Sequence, residues 1–138
     1  GERTTCRNQA MFRYSLLLKY GGKRCYLCGC DIESAIVASN IQRIVDLDNS
    51  TLDETEKRRR AVDGDNGLWL CATHDKLFEY GKIYFDEHGA LAINPALNAA
   101  QREYIERITP VRAISHAHLT DGMREYLRLH RARVGDAV

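Results

Sequence analysis

The chain has 138 residues, 44% of them hydrophobic, and a formal net charge of +1. That size is about one typical domain with a modest core, and a near-neutral total neither requires nor excludes a nucleic-acid partner, because acidic surface elsewhere can offset a basic groove. With no run of about 18 apolar residues and no signal-peptide pattern, the sequence reads as soluble and cytoplasmic, with no membrane partner; an opening Gly1 rather than methionine suggests a fragment of a longer chain.

Residues 7–20 show helical spacing of Met11, Tyr14, Leu17 and Leu18, and Gly21-Gly22 supplies the stop, which predicts a packed first helix. A turn around Cys25 and Cys28 follows, then a β-rich run centred on "AIVASNI". Residues 42–65 are polar and too long for a plain connection, so they read as a surface excursion, either functional or mobile. The stretch "LWLCATHDKLFEYG" begins as a strand and becomes a helix ended by Gly81, and "KIYFDEHGALAI" is a hairpin turning at "DEHG". Two amphipathic helices close the chain, with Met123, Tyr126 and Leu127 as a core stripe on the second. Trp69 and Phe78 sit in apolar runs and read as core, while His116, His118 and His130 read as structural or exposed.

Five cysteines, Cys6, Cys25, Cys28, Cys30 and Cys71, are an odd number without secretory context, which favours reduced thiols or metal ligation over a disulfide framework. Cys25-x-x-Cys28 and Cys71-x-x-His74 each have the spacing at which a tight turn aims two side chains at one tetrahedral ion, and together they make a closed Cys3His zinc site. Such a site clamps the turn after the first helix onto the start of the second-strand helix, as a small domain short of core requires. The competing description, buried thiols and an ordinary helix histidine, is weaker because two independent pairs have the correct spacing. Cys30 competes with Cys28 for the ligand role, and Cys6 is a bystander. Successive helical residues diverge by about 100°, so Asp75 projects away from His74. It is therefore free for a second ion, a magnesium or manganese that carboxylates suit, or else is a solvated aspartate at a helix N-terminus.

The segments "FRYSLLLKYGGKRCYLCGC", "AIVASNI", "NGLWLCATHDKLFEYGKIYFDEHG" and "INPAL" together resemble the HNH endonuclease family. The resemblance implies an α+β fold: a ββα-metal motif with a Cys3His zinc knuckle (Cys25, Cys28, Cys71, His74), flanked by N- and C-terminal helices. The expected organisation is a single domain over residues 1–138, with a core of about 12–97 and a helical extension over 98–134. In the family pattern the central asparagine falls on Asn66, which would brace the strands or lend its amide oxygen to a catalytic Mg2+ or Mn2+. The helix ligand of that ion falls on Asp75. The general-base histidine falls on Asn40, a departure, because a carboxamide has no useful basicity near neutral pH; the exchange is either natural or introduced.

The resemblance implies hydrolysis of a DNA phosphodiester, with Arg43, Lys57, Arg58, Arg59 and Arg60 as candidate phosphate clamps, although acidic neighbours can also answer such a run. The expected setting is a restriction or defence enzyme with an upstream DNA-recognition domain, in which a homodimer would supply two active sites. Two other readings stand beside it: a non-catalytic zinc-stapled DNA-binding module derived from the same fold, which Asn40 would favour, and a plain structural zinc domain.

Overall fold

A computed structural model describes residues 2–135, with side chains from Arg7 onward. Gly1 and the side chain of Cys6, the expected bystander, lie outside the described residues. In chain order the elements are α1 (Glu2–Tyr20), β1 (Ile36–Asn40), α2 (Ile44–Asp48), α3 (Glu54–Val62), β2 (Gly67–Cys71), α4 (Ala72–Glu79), β3 (Ile83–Phe85), β4 (Leu91–Ile93), α5 (Ala99–Ile108) and α6 (Asp121–Gly135). The α+β class is as expected, and no helix among the described residues is long and apolar enough to cross a membrane.

β1 and β2 pair antiparallel from Ile36↔Cys71 to Asn40↔Gly67. Side chains alternate across a sheet, so Ala38, Asn40 and their partners Trp69 and Gly67 face one way, and Ser39 with its partner Leu68 faces the other. α1 lies across the first face. Its Phe12 and Leu16 are buried, and a Cβ on Gly67 would sit 2.3 Å from the Phe12 ring. Tyr20 Oη donates to the Gly67 carbonyl at 2.7 Å, and Lys19 pairs with Asp65 at 2.8 Å. α4 lies across the second face, with Phe78 buried in the core.

Two expectations are corrected. Met11, Tyr14, Leu17 and Leu18 are exposed, and the buried row of α1 is Phe12–Leu16 with Lys19 and Tyr20 beside it. Both rows have helical spacing. The one that docks is the one whose ring fits over Gly67 and whose polar ends find Asp65 and the Gly67 carbonyl. Residues 42–65 are an ordered helical pair rather than a mobile excursion: Asp53 caps α3 by accepting from Glu56 N at 2.8 Å, and Leu47 and Ala61 are buried.

The "DEHG" hairpin forms as expected between β3 and β4, with the Asp86 carboxylate accepting the backbone N–H groups of His88 and Ala90. A capping box of Asn98 and Gln101 starts α5. α6 buries Met123, Tyr126 and Leu127, the expected stripe, and adds His130, which stacks on Phe78 at a ring distance of 3.8 Å and bonds the Phe78 carbonyl at 2.7 Å.

Two predictions concern packing. Gly67→Ala forces Phe12 and Leu16 off the sheet, and chemical denaturation should show a loss of roughly 1–3 kcal/mol. Burial pushes the His130 imidazole down to about 4. The unfolded chain therefore binds a proton between that value and about 6.5 that the folded chain refuses, and stability falls as pH drops through this window. Thermal melts between about pH 7 and 4 should show a loss on the order of 2–3 kcal/mol, and His130→Gln should flatten that part of the profile.

Candidate metal centre and active site

The metal centre is assembled from three places in the chain. Cys25 and Cys28 sit on a turn in which Gly29 N–H bonds the Cys25 carbonyl at 2.8 Å and Gly29 adopts φ +76°, a conformation glycine enters without strain. The Tyr26 N–H bonds the Trp69 carbonyl at 2.8 Å, tying this turn to β2. Cys71 ends β2, and His74 points inward from the first turn of α4.

All four ligand atoms lie within 4.8 Å of one another. His74 Nδ1 is 3.2 Å from the Cys71 sulfur and 3.7 Å from that of Cys25, and Cys28 and Cys71 are 4.0 Å apart. The edges of a tetrahedral zinc–sulfur site, with bonds near 2.3 Å, are about 3.8 Å, so the donor set and its spacing fit a zinc ion. Burial pushes the Cys28 thiol up to about 12, while the Cys30 backbone N–H favours its thiolate; a bound cation is what makes thiolates stable in such a setting. Cys30 does not join the group, so its competition with Cys28 does not arise; its carbonyl instead accepts Cys25 N–H at 2.8 Å.

The other ring nitrogen of His74 has a partner that sequence reasoning missed. Nε2 lies 2.9 Å from Thr109 Oγ1, and both residues are buried. With Nδ1 ligating a metal ion, Nε2 would carry the proton and donate to Thr109, which would fix the tautomer and the ring plane. Thr109 follows α5 with no local pattern to announce it.

Asp75, one residue on, turns to the sheet, where its carboxylate accepts a hydrogen bond from the Ser39 hydroxyl. The divergence of His74 and Asp75 is thus the one expected from helix geometry. Glu79 lies four residues further along α4, on the same helix face. The Ser39 contact was legible from strand alternation and the Glu79 position from the helical repeat, although neither was singled out.

Asn40 faces away from Asp75. Because neighbours on a strand face opposite ways, the residue next to Ser39 turns from Asp75 towards α3, and Asn40 Nδ2 reaches the Ala61 carbonyl at 3.4 Å. Ser39, not Asn40, is the β1 side chain that meets Asp75. Asn66 is fully buried, and its amide is committed to backbone: Oδ1 accepts Gln42 N–H at 2.7 Å, and Nδ2 donates to the Gln42 and Arg60 carbonyls at 3.1 and 3.0 Å. The brace forms, with Oδ1 accepting one backbone hydrogen bond and both Nδ2 donors engaged.

The basic run is also divided. Arg43 makes a two-pronged contact with Asp46 at 2.9 and 3.0 Å, which raises the guanidinium pKa and lowers that of Asp46. Arg133 of α6 reaches the same carboxylate at 3.7 Å, and burial followed by the nearby Arg43 charge lowers its pKa. Glu79 acts electrostatically on both arginines. These groups lie near Glu79, one turn from Asp75, and Arg133 was not predicted. Arg59 and Arg60 share Glu56 at 2.6 and 2.9 Å, and Lys57 meets Glu54 at 3.5 Å. Among the described residues Arg58 has no acidic partner.

Residues 25–86 match the family described as HNH endonuclease. The match supports membership of that family, and the matched segment contains the four cysteine and histidine residues of the cluster, both strands of the first sheet and all of α4. No curated protein matches the chain.

The Thr109 contact should be measurable in zinc retention. Thr109→Val should weaken zinc binding about 10- to 100-fold in a chelator competition, with Thr109→Ser close to the parent.

Proposed function

We propose that this chain is a metal-dependent DNA endonuclease domain that hydrolyses phosphodiester bonds with Mg2+ or Mn2+ held at Asp75. The observation that carries the reading is the divergence of adjacent side chains: His74 serves the sulfur cluster, while Asp75 is presented to the sheet beside Ser39. A divalent ion of this kind needs one or two carboxylates and keeps open positions for water and phosphate, which Asp75 and Glu79 fit. When bound, it supplies Lewis acidity that offsets charge developing on the phosphoryl and leaving oxygens.

The chain's own groups do the positioning. Ser39 orients the Asp75 carboxylate. Asn66 holds the backbone at Gln42, and so sets the path of the chain from β1 into Arg43. Arg43 and Arg133 offer guanidinium groups to phosphate oxygens, and the surface ion pairs of Lys57, Arg59 and Arg60 are weak enough to exchange for a DNA backbone. No imidazole stands at position 40, and a carboxamide cannot take the proton of the attacking water. The reaction is therefore slow, by a factor of roughly 10² to 10⁴ relative to a site with a positioned base.

That departure favours a second reading, a zinc-stapled DNA-binding module without catalysis. The two separate in a plasmid-nicking assay paired with a binding assay at several salt concentrations. The endonuclease reading expects slow nicking that depends on magnesium or manganese and is abolished by Asp75→Ala with zinc content unchanged. Salt-sensitive binding with no nicking in the parent protein would establish the second reading instead. Asn40→His adds a further comparison: a gain in rate places position 40 at the attacking water, and no gain leaves it to the opposite face of the sheet.

A further inference from the structure

The sheet face opposite α4 borders a cavity of about 780 Å³. It is enclosed by α1, β1, α2 and α3, within the range of small-ligand sites, and the cleavage reading gives it no role. Three features of its lining point to one kind of ligand.

Trp69 forms part of the wall, is 1% exposed, and has no hydrogen-bond partner for its Nε1–H among the described residues. A buried donor left unpaired is unfavourable, and an acceptor in the cavity would remove that deficit once a small shift of the wall uncovers the atom, which is closed to water. Asn40 also lines it. Its Nδ2 makes a long contact of 3.4 Å with Ala61, while its Oδ1 has no partner among the described residues. The lining is cationic: Arg13 and Arg58 meet no acid among the described residues, and Lys23 lies 3.8 Å from Glu33 and 5.6 Å from the centre of the Trp69 ring. Two acids, Asp48 and Glu54, also line the cavity, but Glu54 is answered by Lys57 at 3.5 Å. Phe12 and Ile36 supply apolar walls.

We propose that this cavity binds a nucleotide. Its heterocyclic edge would supply an acceptor to Trp69 and pair with Asn40, its ring would lie among apolar side chains, and its phosphate would sit at Arg13 and Arg58. The same chemistry has two sources, a free mononucleotide or an unstacked nucleotide within a DNA strand. The proposal does not depend on cleavage at Asp75. It gives Asn40 a task that a carboxamide performs well, recognition of donors and acceptors on a base edge.

Trp69 is the sole tryptophan of the chain, so its fluorescence reports on the cavity. The zinc-loaded protein, without added magnesium or manganese, is titrated with each of the four deoxynucleoside 5′-monophosphates, with a short single-stranded oligonucleotide, and with ribose 5-phosphate. A saturable change is expected with at least one nucleotide. It should require at least tenfold more ligand in the Arg13→Ala/Arg58→Ala variant, whose exposed positions leave the core intact, and be unchanged in Asp75→Ala. Tighter response to the oligonucleotide assigns the ligand to a strand, and tighter response to a monophosphate assigns it to a free nucleotide. No saturable change, an equal response in the double-arginine variant, or an equal response to ribose 5-phosphate would overturn the proposal. Loss of nicking in Asp75→Ala with the fluorescence response preserved keeps this test separate from that of the cleavage reading.

Discussion

The antiparallel pairing of β1 with β2 is the constraint on which the site depends. Five residues on each strand are held in one register, and a shift by a single residue would turn every side chain to the other face. The register is pinned at both ends. Gly67 must lie under Phe12, and Cys71 must arrive beside Cys25 and Cys28. Between these anchors Ser39 is delivered to Asp75 and Asn40 to the opposite side, so one strand serves two chemically different surfaces.

The sulfur cluster complements this register by joining segments that the chain separates widely. The first turn of α4 takes part in both the cluster and the sheet face, which allows a very short helix to carry His74 and Asp75 in different directions. A core of this size supplies limited stability by burial alone. A metal ion, which the cluster of Cys25, Cys28, Cys71 and His74 could hold, would add to it one residue from Asp75. Thr109 extends the same support outward, since the orientation of a ligating imidazole is set by the hydrogen bond on its far nitrogen.

Much of this was legible in the residues because the signals were local. Two Cys/His pairs with tetrahedral spacing, a hairpin turn at "DEHG" and an apolar stripe on the last helix each carry their geometry within a few positions. The losses occurred where two local patterns had equal merit or where the partner was distant. Helical spacing alone does not choose between the row of Met11 and Tyr14 and the row of Phe12 and Leu16; the clearance over Gly67 chooses. The polar composition of residues 42–65 concealed α2 and α3, whose exposed faces are laced with ion pairs. The basic run looked like a single patch, yet Glu56 holds two of its members and Asp46 another. Asn66 had two tasks from its family position, and the backbone groups that enclose it, those of Gln42 just beyond β1 and of Arg60 in α3, show the brace.

The C-terminal segment has a consequence for where this domain can be divided. Family similarity stops at residue 86, yet beyond that point Thr109 holds the far side of His74, His130 caps the Phe78 carbonyl, and Arg131 donates to the Phe85 carbonyl at 2.8 Å. A piece cut at the similarity boundary would present the rings of Phe78 and Phe85 to water. The matched segment is thus smaller than the set of residues that pack around it, and transplanting this motif into another scaffold without α5 and α6 would leave those contacts unmade.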